Sequence, residues 1–200
     1  MNKFGANKNK LSTETLVMGA LMTALVIVFQ ILATYTAFFG PFSTAIALVP
    51  IVIGAAMCGV GIGGWLGFIF GVVVLATGGA TFFLGFNIFG TIVTVLVKGI
   101  ACGLAAGAVY RLISKKWSQL PAVIVAAVTC PIVNTGVFML GCVVFFLKDA
   151  QAIAAALGSD ATGMAVFVAL ALANFLFELG MNLVLSPAIV KIIDLGKKKK

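Results

Sequence analysis

Residues Ile92–Ile113 read IVTVLVKGIACGLAAGAVYRLI. The run is apolar and long enough to cross a bilayer, whose hydrocarbon core takes roughly 20 residues of helix. Lys98 nevertheless sits inside it, and the basic residues Arg111, Lys115 and Lys116 close it. An ammonium within such a run needs water, a counter-charge or a ligand. Three questions follow for the rest of the chain: its orientation, the place of its polar interior, and what that interior binds.

The remaining sequence has the same character. Hydrophobic residues make up 62% of the 200 residues and charged ones only 9%, against roughly 45–50% and 25% in soluble domains. This composition predicts an all-α integral membrane protein with room for about six transmembrane helices and no sizeable soluble domain. The formal charge of +8 does not point to nucleic acid, because of where the basic residues lie. Lys3, Lys8 and Lys10 precede the first apolar run, Arg111, Lys115 and Lys116 follow the central one, and Lys191 and Lys197 to Lys200 end the chain. Basic residues beside alternate span ends mark the cytoplasmic face, so both termini are expected there, with an even number of spans. The expected organisation is a polar cytoplasmic lead over residues 1–13, a six-helix transmembrane unit over 14–193 and a basic tail over 194–200. The tail serves as a topology anchor or touches anionic head groups. The basic lead runs into a long apolar segment without a small-residue cleavage site, so no cleaved signal peptide is expected.

The first span opens near Glu14, with Ser12 and Thr13 as candidate caps, and ends near Tyr35. Ala20 and Ala24 lie four residues apart on one face, a spacing that lets another helix approach closely. The connection from Thr34 to Thr44 is aromatic, carries Gly40-Pro41, and either sits at the outer interface or caps a pocket through Tyr35, Phe38 and Phe39. Two shorter spans follow, about 45–58 and 62–75, joined by the glycine-rich stretch 59–64. No strand precedes that stretch and no lysine, serine or threonine follows in the required frame, so it is no phosphate loop; a tight turn between closely packed helices fits it. Asn87 leads into the central span. The fifth span, about 120–147, places Pro131, Asn134 and Thr135 at membrane depth, and alanine-rich residues 150–157 predict a short surface helix. In the last span, about 163–193, Asn174, Glu178 and Asn182 stack at intervals of four. Glu178 and Lys98 come to similar depths, and two readings stand: an ion pair with each other, or direct contact with a substrate.

Catalytic patterns are missing. The chain has no histidine, no nucleophile beside a base and no paired carboxylates, and Cys58, Cys102, Cys130 and Cys142 lie in apolar runs without a CxxC pair, so neither an intramembrane hydrolase nor a metal site is expected. No ATP-binding signature is present, so active transport would draw on a partner or an ion gradient.

Several short runs resemble the substrate-binding S components of energy-coupling factor (ECF) vitamin transporters: Ala20-Leu-Met-Thr-Ala24, Leu96-Val-Lys-Gly-Ile-Ala-Cys-Gly103 before a basic loop, and the six-span layout over about residues 13–193. The resemblance implies a six-helix S-component fold in a prokaryotic plasma membrane. The implied partners are a transmembrane coupling subunit and two cytoplasmic ATPase subunits, which bind the ATP and Mg; this chain holds no cofactor. It further implies partner contact through Ala20 and Ala24, an outward-open vitamin site at Asn87, Asn134, Asn174 and Glu178 with the Thr34–Phe42 loop as lid, and toppling of the loaded subunit in the membrane. The runs 131–138 and 141–146 resemble pantothenate-type S components. Amides suit the hydroxyls and amide of that vitamin, and Lys98 is the cation for its carboxylate. The competing expectation is a stand-alone proton-coupled or facilitative carrier using Glu178.

Overall fold

A computed structural model describes residues 13–35, 46–160 and 162–197. Every regular element among them is helical: α1 (Thr13–Tyr35), α2 (Leu48–Cys58), α3 (Val60–Ala76), α4 (Thr81–Leu84), α5 (Ile88–Ile113), α6 (Gln119–Phe145), α7 (Ala150–Ala156) and α8 (Gly163–Lys197). Four of them, α1, α5, α6 and α8, are long and apolar enough to cross a membrane. The six apolar segments expected from sequence are all helical, but α2 has 11 residues and α3 has 17. At 1.5 Å per residue these reach about 16 and 26 Å, short of the roughly 30 Å hydrocarbon core.

The shortness of α2 goes with its place. All eight residues from Leu48 to Ala55 are buried, and α1, α3, α5, α6 and α8 pack around it. A helix apolar on every side belongs in an interior. Pro50 falls in its first turn, where the missing N–H costs nothing. The outward faces of the surrounding helices carry exposed Leu16, Leu21, Val28, Leu104, Leu140, Val144, Leu172 and Val184, a covering that suits acyl chains and not water.

The glycine-rich stretch 59–64 resolves into one turn residue and a helix. Gly59, at φ 96° and ψ 175°, alone separates α2 from α3, in a region essentially confined to glycine. Helix α3 starts at Val60, so the later glycines belong to α3 and not to a loop, with Gly63 and Gly64 turned to α5 and Gly61 to open space. Gly63, Gly67 and Gly71 on α3 meet Gly103, Gly99 and the Val95–Leu96 backbone on α5, running the opposite way. A methyl on Gly67 would strike the Gly99 carbonyl oxygen, and one on Gly103 would strike that of Gly63. Backbones in contact are what small residues at every fourth position allow.

The other ends are set by local chemistry. Asn87 caps α5, its Oδ1 accepting the Gly90 N–H at 2.8 Å while its Nδ2 donates to the Phe145 carbonyl at 3.2 Å. The short surface helix expected at 150–157 is α7, whose Ile153 and Ala154 are fully buried against the bundle. Pro131 lies inside α6 and Pro187 inside α8.

Candidate functional site

A cleft enclosing about 550 Å³ of empty space, its open mouth included, lies where α3 ends, α5 begins, α6 ends and α8 begins. Its walls are Phe70 and Val74 of α3, Thr91, Thr94 and Lys98 of α5, Phe138 of α6, and Asn174 and Glu178 of α8. Gly79, Ala80 and Phe83 close one side, with Phe146 beyond. Arg111 lies in the last turn of α5 with Lys115 and Lys116 just after it, and Lys191 lies near the far end of α8. The cleft is thus at the end of the bundle opposite the basic clusters.

Helix α5 supplies the cation. Thr91, Thr94 and Lys98 fall at i, i+3 and i+7, one face of a helix. That face can approach α6 because residue 141 is glycine: a methyl there would run into the Thr94 side chain. The Lys98 ammonium lies 5.5 Å from the Phe138 ring centre and 5.9 Å from that of Phe70. Such cation–π contacts are worth about 0.5–2 kcal/mol, most when desolvated.

Helix α8 supplies the carboxylate. Glu178 is buried, and its partners are amides: Asn134 Nδ2 donates to both oxygens at 3.1 Å, and Asn174 Nδ2 donates to Oε1 at 2.7 Å. Hydrogen bonds to a charged acceptor are stronger than neutral ones. The column continues along α8, with Asn182 Nδ2 donating to the Glu178 carbonyl at 2.9 Å and Ser186 Oγ to the Asn182 carbonyl at 2.8 Å. Among the described residues no acidic oxygen comes within 4.0 Å of Lys98. Of the two readings for Lys98 and Glu178, direct pairing is not the arrangement found; the two charges face one cavity and take different neighbours.

An aromatic cluster roofs the cleft. Phe83 meets Phe138 edge to face at 5.6 Å and Phe146 at 5.5 Å, within an apolar group that includes Cys142, Ala150, Ile153 and Phe167. Phe83 of α4 thereby lines the cleft, and Ile153 of α7 packs in the apolar group behind it. On the α1 side, buried Gln30 donates to Thr34 Oγ1 at 3.2 Å, and the Thr34 and Thr77 hydroxyls lie 3.2 Å apart.

The structure thus brings Lys98, Asn174 and Glu178 to one cavity wall and sets Asn134 directly behind, on Glu178. Asn87 stands apart, its side chain committed to the α5 cap. Tyr35 is 81% exposed; Phe38 and Phe39 lie outside the described residues. Ala20 and Ala24 both face outward from α1. Sequence reasoning missed Thr94, Phe70 and Phe138. The threonine–threonine–lysine spacing on α5 and the four-residue step from Asn134 to Phe138 were the signals available.

The family model for the ECF transporter substrate-specific component matches residues 14–190. No curated protein and no solved structure gives a match.

Proposed function

Because this chain belongs to the family of ECF transporter substrate-specific components, we propose that it captures a small water-soluble vitamin, pantothenate in the first instance, and delivers it with ECF partner subunits. Members of the family are transport subunits, not enzymes. The observation that carries the reading is the cleft in which Lys98, Asn174 and Glu178 meet at the end away from Arg111, Lys115 and Lys116. Under the positive-inside rule that end is the outer one, the side from which a nutrient arrives.

On this reading all six apolar helices lie within the bilayer, with α2 and α3 as its short members, and both termini are cytoplasmic. Asn174 and Glu178 present an amide and a carboxylate to the vitamin's polar groups while Asn134 holds Glu178 from behind, Lys98 faces its acid group, and the aromatic rings cover its apolar part. Asn87 contributes by fixing the start of α5. The segment from Tyr35 through Phe38 and Phe39 acts as the outer lid. Ala20 and Ala24 form the contact with the transmembrane coupling subunit, two cytoplasmic ATPases bind ATP and Mg, and toppling of the loaded subunit releases the vitamin inside a prokaryotic cell.

The test is chemical. Protein purified from cells grown in rich medium should carry a near-stoichiometric small molecule, released on denaturation and identified by mass as a vitamin. A preparation with no releasable molecule, and no saturable binding when vitamins are added back, would contradict the proposal.

A further inference from the structure

The groups around the cleft leave a definite set of bonds unmade. The Lys98 ammonium has three N–H donors, faces two aromatic rings, and has no hydrogen-bond acceptor in reach among the described residues. Thr94, one turn earlier on the same face of α5, is 5% exposed, and its hydroxyl has no partner among the described residues. On Glu178, Oε1 accepts two N–H groups but Oε2 accepts only one, so Oε2 retains a lone pair.

The cause of this arrangement lies on α6 and α8. Asn134 spans both carboxylate oxygens and Asn174 adds a third bond, so Glu178 is held by amides and does not take up the ammonium. Glu178 across the cavity is the nearest counter-charge but makes no ion pair with Lys98; a buried cation without a directly bonded anion is costly, and ring faces offset only part of that cost. The cavity is therefore incomplete in a specific way: it lacks an anion beside Lys98 and Thr94 and a donor beside Glu178.

We infer that the cleft selects small molecules bearing one anionic group together with at least one hydroxyl or N–H donor, the anion seated by Lys98 and Thr94 and the donor turned to Oε2 of Glu178. This rests on the cleft being the substrate site, and it makes Lys98 the residue that separates an acid from its neutral amide. A neutral ligand of the same shape leaves the ammonium unpaired; a cationic one adds repulsion to it.

Matched acid and amide pairs test this. The full-length protein in lipid nanodiscs is titrated with pantothenate and its primary amide, biotin and its primary amide, and with riboflavin and thiamine. An acid should bind about thirtyfold or more tightly than its amide, the size expected for leaving one buried charge unpaired. Lys98→Met should bring the pair to within about threefold, chiefly by weakening the acid. Comparable affinity for acid and amide in the unaltered protein, tight binding of riboflavin or thiamine alone, or an undiminished acid preference in Lys98→Met each overturns the inference while leaving a vitamin-binding function standing. If no compound in the panel binds and no vitamin co-purifies, the functional reading itself falls. Should Lys98→Met give no cooperative melting transition, the acid-to-amide ratio of the unaltered protein decides alone.

Discussion

Gly67→Leu should abolish a monodisperse folded protein, and Gly67→Ala should lower its melting temperature markedly. The α3–α5 seam is the reason. A Cβ at Gly67 would collide with the Gly99 carbonyl oxygen, and one at Gly99 with that of Gly67; Gly63 and Gly103 stand in the same reciprocal relation. The obstacle is backbone on both sides, so no rotamer change relieves it and the helices must separate. Forcing one extra methylene into a packed interior costs about 1–3 kcal/mol even where side chains can yield; a leucine against backbone costs more. Separation would also part Phe70 on α3 from Lys98 on α5, so ligand binding should fall with stability. Gly136 and Gly180 provide the control. Both are helical, and a Cβ at either meets nothing within 4 Å, so alanine there should be neutral or raise stability by up to about 1 kcal/mol through helix propensity. Thermal melts in one detergent check the set, and a Gly67→Leu protein that melts like the parent would refute the seam.

Ala20→Trp should leave vitamin binding nearly unchanged and reduce partner-driven uptake about tenfold or more, the effect of losing about 1.4 kcal/mol of association. Both Ala20 and Ala24 face outward from α1, away from Met22 and Val26, which are buried in the core. In the isolated protein a tryptophan at residue 20 stands only in lipid, so the cleft is undisturbed. Against a partner helix the same ring props apart surfaces that small residues bring together. Binding by calorimetry and ATP-dependent uptake in proteoliposomes separate the two effects. Equal loss of both would place Ala20 inside the structural core of the protein and not at an interface.

Much of the helical layout is readable because it follows from local rules. The apolar runs gave the helices to within a few residues, and the four-residue spacing of Asn174, Glu178 and Asn182 predicted the polar column that α8 carries. What escaped reading depends on pairs of elements. The glycines after Gly59 suggest a loop when taken as a string; only the position of α5 reveals Gly63 as opening a face repeated every fourth residue. The family resemblance implies a pocket role for Asn87, yet a polar side chain just before a helix is drawn to the free N–H groups of the first turn, and there it stays. Similar depth suggested that Lys98 and Glu178 pair, but depth says nothing of azimuth, and Asn134, approaching from α6, decides which group the carboxylate holds.

On the proposed function this chain grips a vitamin by itself but moves it only with partners. Radiolabelled pantothenate should be retained by liposomes containing the purified chain alone at no more than one molecule per protein, with sustained, ATP-dependent accumulation appearing only when the ECF coupling subunit and ATPases are included. Continuous accumulation by the chain alone, driven by a proton gradient and lost in Glu178→Gln, would contradict the account and establish a stand-alone carrier.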